Sequence, residues 1–257
     1  MYSFVKIIFF LALLLGGKCL FAQNSNSIYV ELLPEQKSLT VLQEIVFHNT
    51  GTDSLSKIIL NDWNNAFSAK NTPLAKRFSD EFVRSFHLAK DYERGNTSAI
   101  TIIDKNKSFL DWCRPERHPD LIEVSLHEKL APNQKIKFNL TYRVKIPSDK
   151  FTKYGYTAEG GFHLKDWFLK PARFENNTFY KNSNFNVDDI TNAPADYQIT
   201  FKTPQSQRLF TDLNVVSTDN QGKHTIYTLE GKNRMDFCIY IEQQITFNRY
   251  KNDIADV

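Results

Sequence analysis

Residues 127–131 (HEKLA) are the part of the sequence that comes nearest to the His-Glu-x-x-His zinc motif. In that motif two histidines stand one helical turn apart, so both imidazoles reach one metal ion while the glutamate acts as general base. Here the fifth position is Ala131, and the segment ends an alternating strand at Pro132. The spacing therefore predicts no zinc site at His127.

A second candidate for metal binding is the alternating set Glu116, His118 and Asp120, which would face one side of an extended segment. The alternative is a polar turn, because Pro115 and Pro119 interrupt the segment. We favour the turn. The sequence also lacks a glycine-rich phosphate loop and a Gly-x-Ser-x-Gly elbow. We therefore predict no catalytic, metal-binding or cofactor-binding residue in this chain.

An aromatic-rich region at residues 151–172 allows two interpretations. Tyr154, Tyr156, Trp167 and Phe168 would either project from a loop toward a sugar ring or a protein partner, or pack inside a strand pair. Large aromatic side chains are mostly buried in folded proteins. Composition therefore favours the structural interpretation.

Most of the chain alternates between apolar and polar residues, which is typical of strands. Residues 28–32 and 39–47 predict a hairpin around the turn at 34–37. Residues 136–146 form the clearest strand, and we expect residues 122–126 to pair with it through the loop at 131–134. Further short strands are predicted in the carboxy-terminal third, at 197–201, 213–215, 224–229 and 237–241.

One segment has helical spacing instead. Thr72 is a suitable N-cap before Pro73, and four apolar residues then recur every fourth position: Leu74, Phe78, Phe82 and Phe86. We predict one amphipathic helix over about residues 73–90, packed on a sheet. The fold class is therefore mainly β, with antiparallel sandwich-like sheets and this helix. The Asn-rich residues 174–192 predict a long loop or a seam between sheets.

The amino terminus predicts export. Residues 7–15 are unbroken and apolar, and Ala22 offers a cleavage site, so residues 1–22 are interpreted as a signal peptide and the protein as secreted or periplasmic. A lipoprotein with Cys19 at its start is disfavoured, because Lys18 is not small. Removal of Lys6 and Lys18 lowers the formal charge from +3 to +1. This balance gives no reason to expect nucleic acid, or a membrane after signal removal, as a partner.

The mature chain holds two cysteines, Cys113 and Cys238. An exported protein allows a disulfide between them, but the spacing does not require one. Cys238 lies in the apolar run 237–241, where a small buried side chain is the simpler interpretation.

Several short motifs occur in one order along the chain. In that order they resemble the amino-terminal domain of secreted bacterial zinc metallopeptidases of the aminopeptidase N-like (gluzincin) type. The resemblance covers about residues 28–204, with a weaker fit to about 245. Its motifs are residues 60–66 (LNDWNNA), 72–80 (TPLAKRFSD), 86–90 (FHLAK), Arg94 with Gly95, Trp112 with Arg114, Glu116 and 118–120 (HPD), 145–147 (KIP), 151–155 (FTKYG) and 167–172 (WFLKPA).

The resemblance implies a saddle-shaped or sandwich-like domain over residues 23–247, with 248–257 starting the linker to a zinc catalytic domain that this chain lacks. It implies a non-catalytic domain that docks on that catalytic domain of the same parent protein and shapes its cleft, with zinc bound only there. Trp167, Lys170 and Arg173 would lie at the cleft or interface. In such enzymes a Gln or Glu from this region binds the substrate amine. Residues 167–173 offer no Gln here, and their cations would repel an ammonium group.

A second hypothesis belongs to another class of protein. The chain would be a freestanding secreted β-sandwich module that binds a glycan or a protein partner through Tyr154, Tyr156, Trp167 and Phe168.

Overall fold

Alternating apolar residues form the strands of a mainly β protein, as the sequence predicts. The computed structural model describes residues 24–185 and 191–243. In chain order the strands are β1 (Asn24–Leu33), β2 (Ser38–His48), β3 (Leu55–Asn61), β4 (Asn96–Asp104), β5 (Trp112–Cys113), β6 (Leu121–Leu130), β7 (Lys135–Lys145), β8 (Gly155–Tyr156), β9 (Phe162–Lys165), β10 (Lys170–Pro171), β11 (Phe174–Glu175), β12 (Thr178–Phe179), β13 (Ala195–Pro204), β14 (Arg208–Thr211), β15 (Asn214–Gln221), β16 (His224–Arg234) and β17 (Cys238–Glu242).

The largest sheet has seven strands in the order β15-β16-β13-β1-β2-β7-β4. The predicted hairpin β1–β2 is present and antiparallel, and the strands predicted near 213–215 and 224–229 pair as the antiparallel hairpin β15–β16. The pair β1–β13 is parallel, with Ile28 beside Ile199 and Val30 beside Phe201, whereas the other described pairs of this sheet are antiparallel, as predicted. Strand periodicity reports which face is buried, and it does not report the direction of a distant neighbour.

Two four-stranded sheets, β10-β3-β6-β5 and β14-β17-β9-β8, accompany the large sheet, together with the two-stranded β11-β12. The predicted pairing of residues 122–126 with 136–146 is wrong. β6 pairs with β3 and β5, whereas β7 lies between β2 and β4 in the large sheet. The loop after Leu130 therefore passes from one sheet to another instead of closing a hairpin.

One continuous core joins the inner faces of the three larger sheets. From the large sheet, Phe138, Leu140, Tyr142 and Val144 of β7 all point inward and are buried. Each fully buried large apolar side chain of this kind contributes on the order of 1.5–3 kcal/mol. This packing makes the fold a sandwich-like arrangement, in agreement with the predicted class.

The helical segment is shorter than predicted. Helix α1 (Pro73–Asp80) begins as expected, because Thr72 Oγ1 accepts a hydrogen bond from Ala75 N (3.2 Å). It ends at Asp80. Phe82 then takes a positive φ of 60° and is 89 % exposed, so the expectation that it packs in the core is wrong.

A second short helix, α2 (Ser85–Leu88), buries Phe86, and 3-10 helices cover Pro34–Gln36, Trp63–Phe67 and Asp91–Glu93. None of the helices among the described residues has the length and apolar character needed to cross a bilayer.

Cys113 on β5 and Cys238 on β17 lie in different sheets as free thiols. The Asn-rich segment begins with the small hairpin β11–β12, and the described residues 180–185 that follow it contain no helix or strand. The predicted signal peptide at 1–22 and the predicted linker at 248–257 lie outside the described residues.

Candidate functional site

The zinc-like segment at 127–131 belongs to the end of strand β6. His127 Nε2 donates to Phe109 O (3.1 Å), so the imidazole supports a neighbouring loop. Across residues 24–185 and 191–243, no three His, Cys, Asp or Glu side chains are grouped to hold a metal ion.

Glu116, His118 and Asp120 do not converge on one point. Glu116 is exposed, whereas Asp120 is buried and accepts hydrogen bonds from Ser183 Oγ (2.7 Å) and Asn184 N (2.5 Å). His118 Nδ1 lies 2.8 Å from the same Ser183 oxygen. Because the serine proton goes to Asp120, His118 must donate to Ser183 and cannot act as its base. The group anchors a loop.

A buried polar cluster, here called the Asp62 network, surrounds the 3-10 helix Trp63–Phe67. Its six residues come from four separate parts of the chain: Asp62, Asn64, Asn65, Thr97, Arg114 and Tyr154. Asp62 accepts from Thr97 Oγ1 (2.6 Å) through one carboxylate oxygen and from Arg114 (2.5 Å) through the other. The arginine also donates to Pro119 O (2.6 Å). The ion pair is therefore held at both ends by further hydrogen bonds.

The two asparagines of the LNDWNNA run complete the network. Asn64 Oδ1 accepts from Tyr154 OH (2.7 Å), and its amide donates to Thr97 Oγ1 (3.2 Å). Asn65 donates to Pro119 O (2.7 Å) and accepts from Thr97 N (3.2 Å). Each amide thus uses both its donor and its acceptor, as buried amides require.

Burial sets the titration behaviour of the network. Removal from water raises the pKa of Asp62, and the nearby Arg114 charge together with the hydrogen bond from Thr97 opposes that rise. Burial also raises the pKa of Tyr154 well above its usual value near 10, with the Asp62 charge adding to the effect. Phenol and carboxyl groups of this kind hold the fold and are poorly placed to exchange protons with a substrate.

Lys170, one of the predicted interface residues, is 4 % exposed and forms a buried ion pair with Asp166. Its Nζ lies 4.6 Å from the ring centre of Trp63 and 5.2 Å from that of Phe168. A cation at this distance from an aromatic face is attracted by the ring quadrupole. The Lys170 ammonium group therefore interacts with side chains of this chain and is not exposed to a partner.

Trp167 and Arg173, the other two predicted interface residues, have contrasting environments. Trp167 is 1 % exposed and packs on Phe168 and Phe201. Arg173 remains accessible and donates through Nε to Glu175 Oε1 (2.7 Å), and this bond raises the pKa of Arg173. Of the three, Arg173 is the one that a partner could contact directly.

The four aromatics proposed for a binding loop are all internal. Tyr154, Tyr156, Trp167 and Phe168 are each 9 % exposed or less. The structural interpretation of this region is confirmed, and the four rings do not form a presented surface.

Sequence reasoning missed a second internal hydrogen-bonding centre at Gln43. Its amide donates to Asn26 Oδ1 (2.9 Å) and Leu169 O (2.6 Å), and its oxygen accepts from Tyr142 OH (2.6 Å). This joins the large sheet to the segment that carries Trp167 and Lys170. The sequence does hold one sign of this centre. Gln43 is a polar residue at an inward-facing position of β2, where the other inward-facing residues are apolar: Leu39, Val41, Ile45 and Phe47.

Comparisons with known proteins give a likeness of fold and no family. No protein-family model matches the sequence, and no curated protein matches it. Among solved structures, an M1 zinc metallopeptidase from Deinococcus radiodurans aligns at 11 % identity with a TM-score of 0.49. A mutant of that enzyme bound to a Tyr-Ser-Ala substrate aligns at 13 % identity with a TM-score of 0.48.

Both alignments cover 92 % of this chain and 46 % of the other, so the chain spans about half the length of these structures. At these values the alignments give no basis for assigning an activity.

Proposed function

We propose that this chain is a non-catalytic amino-terminal domain of a secreted aminopeptidase N-like metallopeptidase, and that it docks on a zinc catalytic domain and shapes its cleft. The observation that carries the proposal is the meeting of the resemblance motifs in space. Asp62 and Asn64 of the LNDWNNA run contact Arg114 and Tyr154 respectively, which belong to two of the other motifs.

Gly95 brings further motifs to the same place. A Cβ on Gly95 would lie 2.7 Å from Pro147 Cδ, 2.9 Å from Lys145 O and 3.0 Å from Asn64 Oδ1. The close approach requires glycine at this position. Phe86 and Phe151, from two more motifs, pack with ring centres 4.9 Å apart.

Motifs that occur in the order of a family and also pack on one another support a resemblance between whole folding units. Short motifs that matched by chance would have no reason to contact one another in the folded protein. The placement of the chemically capable side chains agrees with a scaffold role, since Asp62, Asp120 and Lys170 are committed to internal partners.

Metal analysis and peptidase assays of purified residues 23–257 test the non-catalytic part of the proposal. We expect substoichiometric zinc and no hydrolysis of aminoacyl anilides. Tightly bound zinc together with turnover that a substitution in this chain abolishes would reject it.

The docking part needs a partner, and reading the nucleotides after codon 257 supplies the first test. If the frame enters a His-Glu-x-x-His helix, that domain can be produced separately and titrated with this chain by calorimetry. We expect binding that Arg173→Glu weakens and that Arg208→Glu, an exposed control on β14, leaves unchanged. Absence of binding between the two domains would contradict docking.

The binding-module hypothesis loses its proposed surface, because Trp167 and its three companions are buried. It makes a distinct prediction: glycan-array binding that Trp167→Ala removes while the circular dichroism spectrum stays unchanged. We expect no such binding.

A further inference from the structure

Helix α1 ends in a motif that normally requires glycine. Val83 N donates to Phe78 O (2.7 Å) and Phe82 N donates to Ser79 O (3.0 Å), which is the hydrogen-bond pattern of a Schellman motif. Its left-handed residue is Phe82, with φ at 60°. Glycine or asparagine usually takes this position, since a larger side chain crowds the backbone there.

Phe82 is also 89 % exposed, so its ring gains almost no burial in this chain. Phenylalanine at this position therefore costs free energy in two ways: its backbone is in a conformation that suits glycine, and its apolar ring is exposed to water. Uncompensated departures of this kind concentrate at functional sites.

Two further large apolar side chains follow within eleven residues. Leu88 is 78 % and Tyr92 is 58 % exposed. The segment that carries them is firmly packed underneath, because the Phe78 and Phe86 ring centres lie 5.5 Å apart and His87 Nε2 donates to Ala75 O (2.9 Å). The exposed side chains thus project from a fixed base.

The charges in the same stretch of the chain are predominantly positive once internal pairs are removed, and Lys90 Nζ lies 5.8 Å from the ring centre of Tyr92. Glu81 pairs with Arg77, Asp91 with Arg94, and Glu93 with Lys150. Within residues 70–94, the exposed charges that make no ion pair with a described residue are Asp80 and four cations: Lys70, Lys76, Arg84 and Lys90.

We propose that the Phe82 surface, consisting of Phe82, Leu88 and Tyr92 with Lys76, Arg84 and Lys90, attaches this protein to an anionic lipid bilayer. Projecting apolar side chains enter the interface, a tyrosine ring suits the headgroup level, and unpaired cations are attracted to anionic lipid. The near-neutral charge of the whole chain conceals this local excess. The proposal goes beyond the domain-docking function and does not depend on it.

Vesicle co-sedimentation of purified residues 23–257, without the predicted signal peptide, tests the proposal directly. We expect binding to phosphatidylglycerol–phosphatidylcholine vesicles that weakens in 0.5 M salt, and little binding to pure phosphatidylcholine. Phe82→Gly with Leu88→Ser should weaken binding roughly tenfold or more, because both anchors are lost. Lys76→Gln with Arg84→Gln should weaken it about fivefold for each cation removed.

Matched controls use exposed residues elsewhere. Val215→Ser with Val216→Ser on β15 removes apolar side chains that are 51 % and 57 % exposed, and Lys129→Gln with Lys135→Gln removes two exposed cations. Both should bind vesicles like the unaltered protein. Phe82→Gly relieves backbone strain and Leu88 is exposed, so we expect the double variant to stay folded, and its circular dichroism spectrum checks that before binding is compared.

Two results would overturn the proposal: failure of the unaltered protein to bind anionic vesicles, or undiminished binding by the Phe82→Gly, Leu88→Ser variant. The first would leave a protein partner as the alternative occupant of the Phe82 surface.

Discussion

The Asp62 network and the Phe82 surface depart from the usual distribution of residues in opposite directions. In the network, charged and amide side chains lie inside the protein, and each finds a partner in the chain, as Asp62 does in Arg114. On the Phe82 surface, apolar side chains lie outside, and Phe82 also adopts a backbone conformation that phenylalanine disfavours.

The contrast separates two kinds of exception. A buried polar group costs free energy unless it is hydrogen-bonded, and the network meets that requirement internally. The exposed phenylalanine has no compensation within the described residues. A buried polar group whose hydrogen bonds are satisfied within the protein contributes to the fold. An exposed apolar residue in an unfavourable backbone conformation indicates instead that it contacts something other than this chain.

Alkaline pH should disrupt the interior completely, which is the largest effect we predict. Burial raises the pKa of Tyr142, Tyr154 and Tyr197 above their usual value near 10. The unfolded chain therefore loses these protons first, and stability falls as pH rises above about 10. Tyrosinate absorbance at 295 nm and circular dichroism should change together. Ionisation of all tyrosines before any loss of structure would contradict this.

Removal of one member of the buried ion pair should be the most destructive substitution. Arg114→Ala leaves the buried Asp62 carboxyl without its main partner, and we expect a loss of about 3–5 kcal/mol in the free energy of unfolding. Urea denaturation provides the measurement. Arg84→Ala, an exposed cation outside the network, should change stability by less than about 0.5 kcal/mol. Equal effects of the two would show that the network is not special.

Tyr142→Phe should have an intermediate effect. The hydroxyl donates to Gln43 Oε1 (2.6 Å) and accepts from Leu169 N (3.1 Å), so its removal leaves two buried groups unpaired. We expect a loss of about 1–3 kcal/mol by chemical denaturation. Tyr240→Phe, on an exposed ring, is the matched control and should be nearly neutral. A neutral Tyr142→Phe would mean that water replaces the hydroxyl.

Phe82→Gly should give the smallest change and the opposite sign. Glycine accepts the left-handed conformation without crowding, so we expect a gain of up to about 1 kcal/mol and a small rise in Tm. Phe78→Ala, four residues earlier and buried, should instead lose about 3–5 kcal/mol. A destabilised Phe82→Gly would show that the exposed ring supports the fold after all.

Sequence alone gave the fold class, the β1–β2 hairpin and the start of α1, because each rests on local signals. Alternation, the turn at Pro34–Gln36 and the Thr72 cap can be recognised within a few residues. The partner of β7 and the parallel pairing of β1 could not be obtained, since both depend on strands distant in sequence.

The end of α1 was missed for a different reason. Four-residue spacing predicted a continuous helix through Phe82, and spacing does not reveal a phenylalanine in a position that suits glycine. The Asp62 network was also hidden, because hydrogen-bond partners such as Thr97 and Arg114 carry no pattern that links them along the chain. Gln43 alone offered a usable clue.

The position of β1 has a consequence for how this protein reaches its native state. β1 is made well before β13, which is one of its two neighbours and begins at Ala195. Until that late segment emerges, one edge of a central strand stays open to pairing with other chains. Such long-range pairing slows folding, so we expect completion of the sheet to be a late kinetic step and aggregation to compete with it when synthesis outpaces assembly.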